Sequence, residues 1–319
     1  MKLATLGKTG IKVSPIGFGV LTVGNTQLDL SVDEGAKILA HAFEKGINFI
    51  DTAQYYQTYP YIKKAMNISG YRPIICSKCL DASYQDMEYA IKEAQDELGC
   101  EMIDIFLMHE VRHNHDFENR KGAWQCLKDA KRNGIIHAMG VSTHHADVAE
   151  QMASENDCDI LFPLINKDSL GIRYGANPGT REQMASAIQK NSKAGKGVFA
   201  MKAFGGGNLT GTYMESLDYV SNLPGISSIM IGFGSNEEVD QAVAYAEGKL
   251  PDGFQPDVGK KKIHIDPGDC EGCKTCIKRC PNKAIFFNES KGIAEVDHDI
   301  CLTCGYCAPV CPVRAIIMY

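Results

Sequence analysis

The chain has 319 residues, a formal net charge of −6 and 13 cysteines; 44% of its residues are hydrophobic and 23% are charged. These values are typical of a soluble globular protein, and the negative charge argues against nucleic acid as a partner. The N-terminus carries no apolar signal segment, and no uncharged apolar stretch approaches the length of a membrane span. We therefore expect a cytoplasmic protein that does not contact a membrane.

Strand and helix signals alternate from the N-terminus to about residue 247. A hairpin is expected between Leu3 and Val13, and the capping box Ser31-x-x-Glu34 is expected to begin the first amphipathic helix. Eight apolar runs are expected to form strands, at residues 14–19, 47–51, 74–79, 103–109, 135–141, 160–165, 198–201 and 226–231. Further helices are expected at residues 82–98, 119–132, 146–155, 180–193, 212–221 and 235–247.

Eight strands that alternate with helices predict an α/β protein with a (β/α)8 TIM barrel. The competing doubly wound sheet is disfavoured because no Gly-x-Gly-x-x-Gly follows the first strand. We therefore predict a barrel domain over residues 1–250. A linker is predicted over residues 251–263, where prolines and glycines interrupt any periodicity.

Beyond the linker, one cysteine pattern occurs twice. The two copies are Cys270-x-x-Cys273-x-x-Cys276-x-x-x-Cys280-Pro281 and Cys301-x-x-Cys304-x-x-Cys307-x-x-x-Cys311-Pro312. Disulfides and zinc sites also use closely spaced cysteines, but neither explains two identical runs that end in Cys-Pro. The pattern resembles the bacterial ferredoxin domain that holds two [4Fe-4S] clusters, and predicts a small α+β ferredoxin-like domain over residues 264–319.

That resemblance implies how the thiolates divide between the two clusters. In such domains the fourth cysteine of each run, ahead of a proline, ligates the other cluster. The first cluster would take Cys270, Cys273, Cys276 and Cys311, and the second would take Cys301, Cys304, Cys307 and Cys280. The domain is expected to carry single electrons and to perform no chemistry of its own.

Polar residues stand at or just after the carboxyl ends of three successive predicted strands: Asp51, Tyr56, Lys78 and His109. Because the active site of a (β/α)8 barrel lies at these strand ends, we expect the four side chains to meet. A lysine favours the phenolate of a nearby tyrosine, a carboxylate keeps the lysine charged, and a histidine can donate to a carbonyl oxygen. The four residues therefore predict protonation of a carbonyl oxygen as a hydride reaches its carbon.

The segments that carry these residues resemble the aldo/keto reductase family. They are Asp51-Thr52-Ala53-Gln54-Tyr55-Tyr56, Ser77-Lys78 and Asp104-Ile105-Phe106-Leu107-Met108-His109, with further likeness in residues 6–14 and 140–142. The resemblance implies NAD(P)H-dependent reduction of an aldehyde or ketone. Tyr56 would be the acid, Lys78 and Asp51 would tune it, and His109 would orient the substrate. With its ferredoxin-like segment, the whole chain resembles the iron-sulfur branch of the family.

The resemblance also indicates where a nicotinamide cofactor would bind. The expected residues are Ser142, Asn166, Lys202, Gly205, Gly206, Gly232 and Ser235. The family has a Ser-Asn pair after its fifth strand and a glutamine in its sixth, whereas this chain has Ser142-Thr143 and Phe162. The glycines after Lys202 are expected to let backbone N–H groups approach a pyrophosphate or a flavin phosphate.

Two other segments depart from the family pattern. Gln57 and Tyr59-Pro60-Tyr61 replace the usual residues after the tetrad tyrosine, which predicts a reshaped substrate loop. Ser235-x-x-Glu238 is a capping box at the start of the last barrel helix, and its acidic first turn repels a 2′-phosphate. We therefore expect NADH to be favoured over NADPH. A flavin would serve as the converter between a hydride donor and single-electron carriers.

Two further groups of residues have competing interpretations. Cys76-x-x-Cys79 suggests a redox pair, but residues three apart on a strand point to opposite faces, so both are expected in the core. The loops after the fourth and fifth strands contain histidines that could bind a metal: His113, His115, His144 and His145. No carboxylate or cysteine stands at a ligand-like spacing from them, so surface or substrate-loop roles are preferred.

The sequence thus predicts an oxidoreductase that reduces or oxidises a small carbonyl or alcohol substrate, exchanging electrons through two [4Fe-4S] clusters. An external ferredoxin or another electron carrier would be its partner. One alternative is an electron-transfer or redox-sensing protein with a catalytically altered barrel. Another is a flavin- or ferredoxin-dependent reductase that does not use nicotinamide.

Overall fold

The protein folds as a closed parallel barrel that carries a small cysteine-rich domain over one end. A computed structural model describes residues 1–25, 27–257, 262–301 and 305–318. The barrel strands, in their order around it, are β3 (Ile16–Gly19), β4 (Phe49–Asp51), β5 (Ile74–Cys79), β6 (Ile103–Met108), β7 (Ile136–Thr143), β8 (Ile160–Pro163), β11 (Gly197–Ala200) and β12 (Ile226–Ile231). Pairing of β12 with β3 closes the circle. The predicted TIM barrel is therefore confirmed.

Helices surround the barrel and bury their apolar faces against the strands. They are α1 (Val32–Glu44), α2 (Tyr59–Ser69), α3 (Tyr84–Leu98), α4 (Asn114–Asn119), α5 (Lys121–Arg132), α6 (Ala146–Met152), α7 (Arg181–Lys193), α8 (Tyr213–Ser221) and α9 (Asn236–Ala246). The expected capping box begins α1, because the Ser31 side chain accepts from the Glu34 N–H and the Glu34 side chain accepts from the Ser31 N–H. Helix α2 was not expected: Tyr59-Pro60-Tyr61, assigned from sequence to a loop, forms its first turn, where proline is well tolerated.

A short N-terminal hairpin seals the end of the barrel opposite the strand carboxyl ends. Its strands are β1 (Ala4–Thr5) and β2 (Lys12–Val13). Leu6 and Val13 are fully buried and belong to the same apolar cluster as Phe49 and Phe199 inside the barrel. Because apolar side chains fill this lower part, a ligand can enter only at the opposite end.

The C-terminal domain is built from two small antiparallel sheets and one short helix. The barrel loops contain a separate strand pair, β9 (Arg173–Tyr174) with β10 (Asn177–Pro178), which is not part of the C-terminal domain. The C-terminal elements are β13 (Ile263–Ile265), α10 (Thr275–Arg279), β14 (Ile285–Asn288), β15 (Ile293–Val296) and β16 (Ile316–Met318). Strand β13 pairs with β16, and β14 pairs with β15. Lys260 and Lys261 of the predicted linker, and Cys304 of the predicted ligands, lie outside the described residues.

The C-terminal domain packs on the strand-end side of the barrel. The Met318 N–H donates to the Gly206 carbonyl at 2.8 Å, so β16 runs along the loop that follows β11. Gly207, with φ of +84°, lies so close that a Cβ there would collide with the Met318 carbonyl oxygen. Arg112 Nη2 donates to the Gly268 carbonyl at 2.9 Å. The second domain therefore forms part of the wall around the barrel mouth.

Helix length and composition also bear on membranes. In the part of the chain that the structure describes, no helix is both long and apolar enough to cross a bilayer.

Candidate active site

The structure brings the four predicted catalytic residues together at the carboxyl ends of β4, β5 and β6. Lys78 Nζ lies 3.1 Å from a carboxylate oxygen of Asp51 and 3.4 Å from the Tyr56 hydroxyl. The Tyr56 hydroxyl lies 3.3 Å from His109 Nε2. Lys78 also donates to the Thr52 carbonyl at 2.6 Å. A continuous chain of polar contacts thus runs from the Asp51 carboxylate through the ammonium and the phenol to the imidazole.

Burial sets the protonation of these groups. Burial raises the pKa of Tyr56 well above its usual value, and the Asp51, Asp266 and Asp269 carboxylates raise it further. Burial also lowers the pKa of His109 well below its usual value, assisted by Lys78. Near pH 7 the site therefore holds a protonated phenol beside a neutral imidazole. The phenol can donate a proton, and Lys78 stands where it would stabilise the phenolate that remains.

A buried arginine holds the strand ends that carry Lys78 and His109. Arg120 is 5% exposed and donates to the His109 carbonyl at 2.8 Å and to the Cys79 carbonyl at 3.1 Å. Its third contact is the Asp81 carbonyl at 3.3 Å. Because guanidinium donors are fixed in one plane, these bonds set the spacing of the two strand ends. Sequence reasoning missed Arg120, which lies in a helix junction far from any family motif.

The tetrad forms the floor of a cavity of about 620 Å³. The barrel supplies most of its wall, and the C-terminal domain supplies Asp266, Gly268, Asp269, Ile317 and Met318. Phe162 lies deeper, stacked on the Phe199 ring at 4.1 Å, and offers no hydrogen-bonding atom to a carboxamide. The candidate active site is therefore shared between the two domains.

An ion pair joins the domains inside this cavity. Lys202 Nζ lies 2.8 Å from Asp269 Oδ2, and the two side chains are 19% and 11% exposed. Lys202 and Glu110 both adopt left-handed backbone conformations, with φ of +57° and +49°. Such conformations are strained in non-glycine residues and are concentrated at functional sites.

Glu110 and His144 adjoin this ion pair. Ligand atoms of Glu110, His144 and Asp269 lie within 4.8 Å of one another. Burial lowers the pKa of His144 to about 3, with Lys202 adding to the effect, so the imidazole is neutral. Burial raises the pKa of Glu110 to about 7, and the Asp269 charge adds to the shift. Sequence spacing could not reveal this group, because its three members come from separate segments and two domains.

The structure places Ser142 and Asn166 at the barrel mouth, with their side chains already bonded within the protein. Ser142 Oγ accepts the Glu110 N–H at 2.8 Å. Asn166 is fully buried, donates to the Leu170 carbonyl at 2.9 Å and accepts the Leu170 N–H at 2.8 Å. Ser142 lines the cavity, whereas Asn166 does not. Their assignment to cofactor binding stays a prediction.

The glycine loop after Lys202, which is predicted to approach a cofactor phosphate, is covered on one side by the C-terminal domain. The Gly205 carbonyl accepts from Asn208, whose Nδ2 also lies 3.4 Å from the Ile316 carbonyl. Gly206 carries the backbone bond to Met318. Gly205 and Gly206 thus have positive φ values, which glycine adopts readily, in a loop that β16 covers.

Gly232 and Ser235 line the cavity at the start of α9, where the expected capping box is only half formed, because the Glu238 side chain accepts from Gly234 rather than from Ser235. Ser235 is the N-cap residue and accepts the Glu238 N–H at 3.2 Å. Glu238 Oε2 in turn accepts the Gly234 N–H at 2.7 Å. The chain's own carboxylate therefore holds an amide that an incoming phosphate would otherwise use.

The described cysteines of the C-terminal domain lie close to one another, and their division between two clusters stays a prediction. Burial raises the pKa of the Cys276 thiol to about 11, and the nearby Cys311, Cys270 and Cys273 raise it further. Burial likewise raises the pKa of Cys307 to about 11, with Cys301 and Cys280 among its neighbours. Cys280, Cys301 and Cys307 also line one small cavity. Clusters of soft thiolate donors of this kind fit iron-sulfur ligation.

Cys76 and Cys79, for which a redox role was the competing interpretation, are buried in the core as expected. Cys76 packs inside the barrel, whereas Cys79 packs between the strands and the helices. Burial raises the pKa of Cys76 well above its usual value, so this thiol stays protonated and unreactive.

Comparison with known proteins agrees with this geometry. Residues 15–225 match the aldo/keto reductase family, and residues 269–315 match the 4Fe-4S dicluster domain. An aldo-keto reductase structure from Bacillus halodurans in its holo form shares the fold, with a TM-score of 0.62, 17% identity, and coverage of 82% of this chain and 94% of that one.

Curated relatives resemble separate parts of the chain. L-Galactose dehydrogenase of Arabidopsis thaliana is 26% identical over 160 residues, covering 46% of this chain and 50% of the relative. D-Threo-aldose 1-dehydrogenase of a Pseudomonas species is 24% identical over 188 residues, covering 48% and 57%. The matched segments thus span about half the length of these relatives. One component of an ion-translocating oxidoreductase complex from Methanosarcina acetivorans is 42% identical over 60 residues, covering 19% and 22%. The chain belongs to the aldo/keto reductase family and carries a C-terminal 4Fe-4S dicluster domain.

Proposed function

We propose that the protein interconverts a carbonyl compound and its alcohol, and that it exchanges the electrons through its dicluster domain. The observation that carries this proposal is the chain of contacts among Asp51, Lys78, Tyr56 and His109 at the cavity floor. A surface lysine or a core histidine would not be buried in one polar network that faces a cavity. The network matches what proton delivery to a carbonyl oxygen requires.

In reduction, each tetrad residue has a distinct role. His109 donates a hydrogen bond to the carbonyl oxygen and orients it, because its neutral imidazole keeps one N–H. Tyr56 transfers its proton to that oxygen as a hydride equivalent reaches the carbon. Lys78 stabilises the resulting phenolate, and Asp51 pairs with Lys78 and holds it in position. Oxidation of the alcohol uses the same groups in reverse.

Substrate class follows from the cavity wall and the relatives together. Asp266, Asp269 and Glu110 are hydrogen-bond acceptors above the tetrad, and Lys202 is a donor. Such a wall suits the hydroxyl groups of a sugar. Two curated relatives are named for sugar oxidation, L-galactose dehydrogenase and D-threo-aldose 1-dehydrogenase. An aldose is therefore the first substrate class to test.

NADH is the favoured nicotinamide donor. The Glu238 carboxylate already accepts the Gly234 N–H, and Glu237 adds a second negative charge to the first turn of α9. A 2′-phosphate placed there would meet these two carboxylates, which carry the same sign of charge. Because NADH gives a hydride and each cluster takes a single electron, this route also needs a bound flavin as the converter between them.

In this proposal, the dicluster domain carries the electrons to or from the barrel. Cys270, Cys273, Cys276 and Cys311 would hold one cluster, and Cys301, Cys304, Cys307 and Cys280 the other. When bound, such clusters accept and release single electrons. An external ferredoxin or a similar carrier is the partner we expect, and the direction of flow depends on that carrier's potential.

The decisive experiment is a visible spectrum of the anaerobically purified protein with both clusters intact. Addition of NADH should bleach the cluster absorbance, and NADPH should do so less. Subsequent addition of an aldose should restore the absorbance. If dithionite bleaches the clusters but neither nucleotide does, nicotinamide is not the electron donor of the clusters. If no carbonyl compound reoxidises the reduced protein, the proposed catalytic function is wrong.

One observation favours a second candidate, a redox-sensing protein with an altered barrel. Phe162 offers no polar atom, and the side chains of Ser142 and Asn166 are engaged within the protein. Such a protein would show reversible cluster reduction and ligand binding without turnover. Replacement of Tyr56 distinguishes the two, because only a catalytic protein loses turnover when its acid is removed.

A further inference from the structure

The two cysteine quartets are placed differently with respect to the barrel. Asp269, which precedes Cys270, forms the ion pair with Lys202, and the carbonyl of the preceding Gly268 accepts from Arg112 at 2.9 Å. At the other end of the same quartet, Pro312 follows Cys311 and its carbonyl lies 3.4 Å from Arg173 Nη1. The segments that flank the first quartet are therefore fixed to the barrel.

The second quartet has the opposite setting. Among the described residues from 280 to 301 and from 305 to 310, none forms a hydrogen bond or an ion pair with the barrel. Ile300 and Tyr306, which flank Cys301 and Cys307, are 47% and 56% exposed. The quartet that contains Cys301 thus faces away from the catalytic cavity.

Lys202 is the cavity residue best placed to affect the first quartet. It is mostly buried, its backbone is strained, and its ammonium contacts the side chain of the residue next to Cys270. Consecutive Cα atoms are about 3.8 Å apart, so Asp269 cannot lie far from the thiolate that follows it. Charges in such a partly desolvated place act more strongly than charges in water.

We propose that Lys202 and Asp269 set the reduction potential of the first quartet relative to the second, and so make the barrel-facing quartet the one that communicates with the cavity. This role depends on the proposed function, but the potential itself can be measured without turnover. Reduction adds one negative charge to a cluster. The Lys202 cation stabilises that charge and the Asp269 carboxylate opposes it, and cluster potentials respond to such local charge.

The proposal predicts opposite shifts for the two partners. Lys202→Met leaves Asp269 uncompensated beside the first quartet, so the midpoint potential of that quartet should fall. Asp269→Asn leaves Lys202 uncompensated, so the same potential should rise. Lys202→Arg keeps the charge and should keep the wild-type potential. The double variant, which removes both charges, should lie between the single variants.

The test is an anaerobic redox titration of the full-length holoprotein, followed by electron paramagnetic resonance. Cys273→Ser, which alters one ligand of the first quartet only, assigns the signals. Asp299→Asn is the matched control, because it removes an exposed carboxylate two residues before Cys301 and far from Lys202 in the sequence. It should leave the first quartet unchanged.

Three results would overturn the proposal. Shifts of the same sign in Lys202→Met and Asp269→Asn would indicate that both variants merely loosen the domain contact. Equal shifts of both quartets would remove the distinction between them, and the absence of any shift would show that the ion pair has no effect. Opposite shifts without any carbonyl turnover would support this inference while rejecting the proposed function. If Lys202→Met does not retain both clusters, Lys202→Gln replaces it.

Discussion

The two ends of the catalytic cavity differ in how their polar groups are satisfied. At the tetrad end, Lys78, Tyr56 and His109 contact one another and line the cavity, so the network can meet a ligand. At the α9 end, Ser235 caps the helix, and the Glu238 carboxylate accepts the N–H of the preceding Gly234. The proposed proton transfer therefore belongs to the tetrad end, whereas the acidic α9 end disfavours a phosphate.

The largest effect is expected at the tetrad end. Tyr56→Phe removes the proton donor and should lower kcat by about 10²–10⁴-fold, which is the usual contribution of a positioned acid. Tyr55→Phe is the matched control, since Tyr55 lines the same cavity and lies outside the polar network. Steady-state reduction of a panel of carbonyl compounds measures both. Equal loss in the two variants would mean that Tyr56 is not the acid.

A second change tests whether the tetrad end also supports the fold. Lys78→Met leaves the Asp51 carboxylate buried without its cation, and breaking a buried pair in this way costs about 3–5 kcal/mol in the free energy of unfolding. Lys78→Met with Asp51→Leu should recover much of that loss, because no charge is left buried. Anaerobic denaturant unfolding gives the comparison. If the double variant is no more stable than the single one, desolvation of Asp51 is not the cause.

Arg120 should have a smaller and more selective effect. Arg120→Lys keeps a cation but cannot reach the carbonyls of Cys79 and His109 in the same fixed plane. We expect kcat to fall roughly tenfold with KM nearly unchanged, because tetrad geometry is altered while the cavity wall is kept. Arg132→Lys, on the exposed end of α5, is the control. A rise in KM alone would show that Arg120 acts through substrate binding instead.

The preference between NADPH and NADH should depend on the charge at the α9 end of the cavity. Glu238→Gln removes one negative charge from the helix terminus, where such effects are about 0.3–1 kcal/mol. NADPH binding should improve by a few-fold, and NADH binding should change less. Fluorescence titration with each nucleotide measures the ratio. An unchanged ratio would place the 2′-position of the nucleotide away from α9.

The last prediction concerns the dependence of stability on pH. The pKa of Glu110 rises from 4.5 to about 7, chiefly through burial and then through the Asp269 charge. Between these values the folded protein binds a proton that the unfolded chain releases, so the free energy of unfolding should fall as the pH rises through this window. Glu110→Gln should flatten the profile, and the exposed Glu289→Gln should not. An unchanged slope in Glu110→Gln would assign the dependence to other groups.

Much of the fold was predictable because strand and helix periodicities are local properties. The eight strands and the capping box at Ser31 follow from apolar spacing and cap chemistry. Helix α2 was missed because its first turn, Tyr59-Pro60-Tyr61, lacks a clear helical pattern and depends on burial of two tyrosines. Local signals therefore specify elements better than they specify what those elements contact.

The candidate site shows the same limit. Strand ends predicted the meeting of Asp51, Tyr56, Lys78 and His109, because a parallel barrel places all carboxyl ends on one side. No spacing rule could show that Asp269 would reach Lys202 from another domain, or that Arg120 would bind two strand-end carbonyls. Those contacts depend on how the domains dock.

The backbone bond from Met318 to Gly206 makes the mouth of the barrel depend on the dicluster domain, and we expect that domain to fold only with its clusters bound. Oxygen that destroys the clusters would therefore remove one wall of the cavity, and with it the partner of Lys202. Exposure to air should then abolish recognition of the substrate, even in an assay that supplies its own hydride. The protein would be oxygen-labile in its binding as well as in its electron transfer.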